Sequence, residues 1–172
     1  QANIGLDMTL GMYNFDITRK TLHVLPPHHT FGSTVNYVGH LSQGCEVYIS
    51  SGIKHVSDEI KEQQPTHLIL VPAFLEVMNR KIWATARKDG KESLLKAMIK
   101  LSNFLRKFGV DVRRKLFASV LSAFGGKLEL IICGGAKLDE EIIRNFDALG
   151  ITILNGYGIT ECAPLISANR NK

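Results

Sequence analysis

Leu128-Glu129-Leu130-Ile131-Ile132-Cys133-Gly134-Gly135-Ala136-Lys137-Leu138-Asp139 reads as a strand, a turn and the start of a helix in one unbroken stretch. The β-favouring residues run straight into two glycines, so a short buried strand is expected to end in a tight turn. Ile142, Ile143 and Phe146 then follow at helical spacing, with Asp139 as the expected N-cap and Leu138 with Ile143 as a hydrophobic staple. A strand that turns through small residues into a helix N-terminus is the unit of an alternating α/β chain. Such a turn can serve as a floor for a purine or an anion, and it can equally be no more than a short strand-to-helix connection.

The same alternation extends outward. Strands are expected at residues 21–25, 45–50, 66–71, 128–133 and 152–154, and helices at 31–41, 56–63, 72–85, 92–108, 112–124 and 139–149. This order predicts an α/β fold: a three-layer parallel sheet with right-handed crossovers and helices on both faces. Ligands of open α/β sheets bind beyond the carboxyl ends of the strands. Three notable stretches fall there, after the first, fourth and fifth strands.

After the fifth strand comes Asn155-Gly156-Tyr157-Gly158-Ile159-Thr160-Glu161. Two glycines around an aromatic let the backbone approach a ligand while the ring stays free to stack on a flat base. Thr160 and Glu161 offer a hydroxyl for a phosphate oxygen and a carboxylate for the accompanying magnesium. Gly-Tyr-Gly by itself also suits a tight turn ending an edge strand. After the first strand comes Pro26-Pro27-His28-His29-Thr30-Phe31-Gly32, whose His-His pair alone would also suit an idle loop.

The heptad closely resembles the adenine-binding motif of the AMP-forming adenylating enzymes, which include acyl-CoA synthetases, luciferases and peptide-synthetase adenylation domains. Residues 26–32 resemble that family's Pro-x-x-His-x-x-Gly segment, with His29 the aligned histidine, and residues 134–136 resemble its Gly-Gly-Ala stretch. The resemblance covers nearly the whole chain and implies one subdomain of the family's large N-terminal domain. It implies that Tyr157 stacks on adenine and that Gly134, Gly135, Ala136, Asn155, Gly156 and Gly158 line the nucleotide. It further implies that Thr160 holds the α-phosphate of ATP or AMP and Glu161 the magnesium, while His29, Phe31 and Gly32 border the acyl and CoA thiol site. Residues 101–127 resemble the helical insertion of bacterial long-chain acyl-CoA synthetases, so a fatty acid is the implied substrate and CoA the implied acceptor. An adenylating enzyme using another acid or a carrier-protein acceptor, and a non-catalytic nucleotide-binding or membrane-associating module, are the competing readings.

The family's Ser/Thr/Gly-rich phosphate loop, its Thr-Gly-Asp and its C-terminal domain with a catalytic lysine do not occur between Gln1 and Lys172. The chain is therefore expected to be an internal piece of a longer protein, one subdomain over residues 1–172, inactive by itself. Its 172 residues, 45% hydrophobic and 22% charged, suffice for one core. No apolar run approaches the ~20 residues a bilayer requires. Cys45, Cys133 and Cys162 are odd in number and lack metal-site spacing, as in cytosolic thiols; Cys162 adjoins Glu161, and the other two are expected to be buried.

Charge is uneven. Residues 80–127, which include the insertion at about 87–124, carry thirteen Lys or Arg against three Asp or Glu, and the remainder is net acidic. Leu94, Met98, Leu101, Leu105 and Phe108 repeat at helical spacing, with Lys96, Lys100, Asn103 and Lys107 opposite, so an amphipathic helix with a basic outer face is expected. A solvated face, steering of anionic substrates and contact with anionic lipid all suit it. The expected location is cytoplasmic, with peripheral contact at the inner membrane face. Nucleic acid is not an expected partner, since no recognition motif accompanies the charge.

Overall fold

A computed structural model of the chain describes residues 16–162 and 165–168. In chain order the elements are β1 (Lys20–His23), α1 (a π-helix over Phe31–Val38 continued by an α-helical turn, Gly39–Ser42), β2 (Glu46–Ile49), α2 (Val56–Gln63), β3 (His67–Leu70), α3 (Pro72–Lys88) and α4 (Glu92–Arg106). They are followed by α5 (Arg113–Leu116), α6 (Ala118–Ser122), β4 (Leu130–Cys133), α7 (Glu140–Leu149), β5 (Thr152–Tyr157), a 3₁₀ turn (Thr160–Cys162) and β6 (Ser167–Ala168). The six strands form one sheet in the order β2-β1-β3-β4-β5-β6. Neighbouring strands from β2 through β5 pair in parallel. The sheet is mixed at its edge, where Gly156 pairs with Ala168 and Tyr157 with Ser167 in an antiparallel ladder. That ladder carries β5 to Tyr157, past the expected end at residue 154, so the aromatic heptad begins inside a strand.

Alternation along the strands separates two cores. Leu22, Leu68, Leu70, Ile131, Cys133 and Ile153 face the larger one, packed by α2 to α7. Ile69, Leu130, Ile132 and Leu154 face the smaller one, where Val35 and Phe31 of α1 pack. Helices thus lie on both faces, but unequally. The fully buried strands β3 and β4 are continuous apolar runs apart from His67, as a sheet covered on both sides requires.

Local signals explain the element ends. Pro72 opens α3 after an extended Val71. Asp139 caps α7 as expected, its carboxylate accepting from the Glu141 N–H at 2.8 Å, and Gly150 ends that helix at φ +89°.

Two helical expectations need correction. Residues 112–124 do not form one helix: Phe117, at φ −103° and ψ 21°, breaks it into α5 and α6 while its ring is almost wholly buried. In α4 the inward residues are Leu95 and Ser102, with Met98 and Ile99 half-buried, whereas Leu94, Leu101 and Phe108 are exposed. The helix holds more apolar residues than one face accommodates. Its rotation is set by packing on α3 and α7 and by the 2.7 Å ion pair between Arg106 and Asp147.

Candidate active site

Strand order reverses between β1 and β3, since β1 is followed in sequence by β2 on one side and β3 lies on the other. The carboxyl ends of the parallel strands are where a ligand crevice is expected in such a sheet, and the segments after β1, β4 and β5 leave the sheet at that end. Beyond β1 the chain bends sharply: the His29 N–H donates to the Pro26 carbonyl at 3.1 Å. A Cβ on Gly32 would lie 2.8 Å from that same Pro26 oxygen and 3.1 Å from Leu25 Cβ, so only glycine fits the bend. The bend swings Phe31 over the sheet edge. A Cβ on Gly134 would lie 3.0 Å from Phe31 Cζ and 3.2 Å from the Gly156 carbonyl oxygen.

The structure therefore brings three of the expected site segments into contact: Phe31 after β1, Gly134 after β4 and Gly156 within β5. Asn155 lies beside Cys133 in the ladder, one residue before Gly134. Gly135 adopts φ +88°, and a Cβ there would stand 3.7 Å from Val71 Cγ1 at the end of β3. Ala136 is exposed on the turn that leads to the α7 cap. Val71 had no place in the sequence-based site. Its place at the carboxyl end of the expected third strand was the available signal.

The polar residues are solvent-exposed, and among the described residues no contact joins their side chains to the Phe31–Gly134–Gly156 cluster. Tyr157 is 64% exposed. Gly158, Thr160 and Glu161 are exposed too. His29 is exposed with its ring 4.5 Å from that of His28. No group of three His, Cys, Asp or Glu residues able to hold a metal occurs among the described residues. Glu161 stands alone, without an ion pair among them, in the turn after β5. A single carboxylate suits magnesium, which keeps most of its shell as water and substrate phosphate oxygen. Cys133, at the floor, is a buried free thiol pushed up to about 12 by burial, so it stays protonated. Cys45 is likewise buried and free, whereas the side chain of Cys162 lies outside the described residues.

Behind the crevice, between the sheet and α2, α3, α4 and α6, lies a cleft of about 830 Å³. Leu70, Phe74, Met78, Leu95, Phe117 and Phe124 are among its mainly apolar lining, and Lys61, Lys81 and Lys91 also border it. Leu70 is the one strand residue in its lining, and the next residue, Val71, packs with the smaller core on the other face of the sheet. This volume falls within the range of small-molecule sites, about 300–1,000 Å³.

Residues 3–172 match the family described as AMP-binding enzyme. The chain is 30% identical over 149 residues to the long-chain-fatty-acid–CoA ligase 5 of Rattus norvegicus, covering 83% of this chain and 22% of that protein. It is 30% identical over 155 residues to the long-chain-fatty-acid–CoA ligase 1 of Cavia porcellus, covering 85% of this chain and 22% of that one. Among solved structures it superimposes on the A-PCP didomain of carboxylic acid reductase from Segniliparus rugosus in complex with AMP. The TM-score is 0.68 at 18% identity, over 98% of this chain and 22% of that chain. The chain thus spans about a fifth of the relatives it matches.

Proposed function

Because this chain belongs to the family of AMP-binding enzymes, we propose that it forms the adenine-and-acyl segment of a ligase that activates a long-chain fatty acid with ATP and passes it to CoA. The observation that carries the substrate class is the mainly apolar cleft of about 830 Å³ bordered by α2, α3, α4, α6 and Leu70 of β3. The acyl chain would lie in that cleft with its carboxylate directed to the carboxyl ends of the strands.

In this reading Tyr157 stacks on the purine, and Gly134, Gly135, Ala136, Asn155 and Gly156 lie along its edges, with Gly135 and Ala136 exposed on the turn. Gly158 frees the backbone beside the ring, and Thr160 donates to an α-phosphate oxygen. Glu161 would hold magnesium, which when bound supplies charge neutralisation to the phosphates. His29, Phe31 and Gly32 border the acyl carbonyl, with Phe31 held against Gly134. The carboxylate attacks the α-phosphate, pyrophosphate leaves, and the CoA thiol displaces AMP from the acyl-adenylate. The segment contributes position and electrostatics.

The test is acid-dependent ATP–pyrophosphate exchange by the full-length protein that carries this chain, with short, medium and long fatty acids. Exchange with long acids, abolished by Glu161→Gln while ATP-independent stability is kept, is the expected result. Absence of exchange with every acid overturns the reading.

A further inference from the structure

A helix packed on one surface needs one apolar stripe, and α4 has two. Leu95 and Ser102 turn to the protein interior. Leu94, Leu101 and Phe104 turn outward at 56%, 53% and 55% exposure, and Phe108, just past the helix, is 70% exposed. The Phe104 and Phe108 rings meet edge-on with centroids 5.1 Å apart. Val110, 48% exposed, extends the patch. At 100° per residue, Lys96, Lys100 and Lys107 form a second outward arc about 100° from the apolar one. Lys96 is engaged by Glu92 at 2.7 Å. Lys100 and Lys107 make no ion pair among the described residues.

An exposed apolar arc by itself suits several occupants, and the charge beside it selects one. Residues 80–127 hold thirteen basic residues against three acidic, while the rest of the chain is net acidic. A second copy docking by two-fold symmetry would bring the lysine arcs toward each other. An anionic bilayer satisfies both arcs together: aromatic residues enter the headgroup boundary and ammonium groups meet phosphates.

We propose that the outer face of α4 is a docking surface for an anionic lipid bilayer, with Phe104 and Phe108 entering the interface and Lys100 and Lys107 over the headgroups. Leu94 belongs both to the exposed arc and to the lining of the apolar cleft. A bilayer seated on α4 therefore lies at the rim of that cleft, beside Val77, which is itself 54% exposed. Transfer of an acyl acid from the bilayer into the cleft rests on the ligase reading above; the docking does not. Among the described residues no helix is long and apolar enough to cross a membrane, and α4 lies on the surface.

The experiment is co-sedimentation of the full-length protein with vesicles of phosphatidylcholine alone and with one third phosphatidylglycerol. Binding to the anionic vesicles only is expected. Lys100→Gln with Lys107→Gln should weaken it about 25-fold, at about fivefold per cation. Phe104→Ser with Phe108→Ser should also weaken it, and both double variants should keep ATP–pyrophosphate exchange on water-dispersed octanoate. Vesicle binding that persists where no acid supports exchange would uphold docking and remove only the ligase reading. Four results would overturn the proposal: no binding to either vesicle; variants that bind like the parent; a melting point lowered by the phenylalanine changes, meaning that the protein's own chain covers α4; or a dimer that those changes dissociate.

Discussion

Gly134 is the residue on which the crevice closes. Its hydrogen leaves room for Phe31 on one side and for the Gly156 carbonyl on the other, at distances where a Cβ would be tighter than ordinary contact. Gly134→Ala is therefore expected to destabilise the fold by about 1–3 kcal/mol, the usual cost of an overpacked site. Phe31→Leu shortens the group that meets the new methyl, so the double variant should recover the Phe31 share of that loss while the Gly156 carbonyl still opposes it. Urea unfolding of the four proteins in the cycle measures the coupling. Strict additivity would show that Phe31 does not rest on Gly134. The cycle reads packing alone and holds whether or not nucleotide binds.

At the scale of elements, α1 meets the sheet through polar residues. His40 of α1 stacks on His67 of β3, centroids 4.6 Å apart and planes 20° apart, and the His40 Nδ1–H donates to the Val35 carbonyl at 2.8 Å. Thr21 of β1 bonds Asn36 of α1 at 3.2 Å. Burial lowers His40 to about 4 and His67 to about 2, and in His67 the neighbouring His40 adds to the effect. Both rings are thus neutral when folded, yet protonate near 6.5 when unfolded. The unfolded state binds more protons as pH falls through 6.5, so stability is full above that value and declines below it. Between pH 7 and 5 the loss should be about 2 kcal/mol per histidine. His40→Gln with His67→Gln should flatten that dependence in urea titrations; an unchanged slope would place the acid sensitivity elsewhere.

None of this seam was legible beforehand. A histidine in an otherwise apolar strand carries no local sign of its stacking partner, because α1 and β3 lie far apart in sequence and meet only through the crossover. What was legible followed from local chemistry: the Asp139 cap, the helix start at Pro72 and the glycine turn after β4. The rotation of α4 was not, since Leu94 and Leu95 are equally apolar and only packing on α3 and α7 separates them. The order of the strands placed the expected site segments at one edge, as alternation predicts. The antiparallel β6 and the breaking of residues 112–124 at Phe117 needed the tertiary fold.

For the whole molecule, the two faces of the sheet have different work in the proposed ligase. The face under α1 presents Phe31 and the polar seam, and the face under α2 to α7 holds the apolar cleft. Acyl length should then be limited by the helical face, away from residues 155–161. Ala86 of α3 is half-buried and lines the cleft, so Ala86→Phe fills space there without touching the crevice. A bulky side chain in an apolar pocket shifts discrimination by about 1–3 kcal/mol, roughly 10- to 200-fold. The ratio of kcat/KM for palmitate over octanoate should fall by that factor, with exchange on octanoate preserved. A parallel loss with both acids would mean that the phenylalanine disturbs the fold or the nucleotide site, and unchanged specificity would place the acyl chain outside this cleft. The two results are separable because thermal stability, followed on the same samples, reports on the fold independently of either acid.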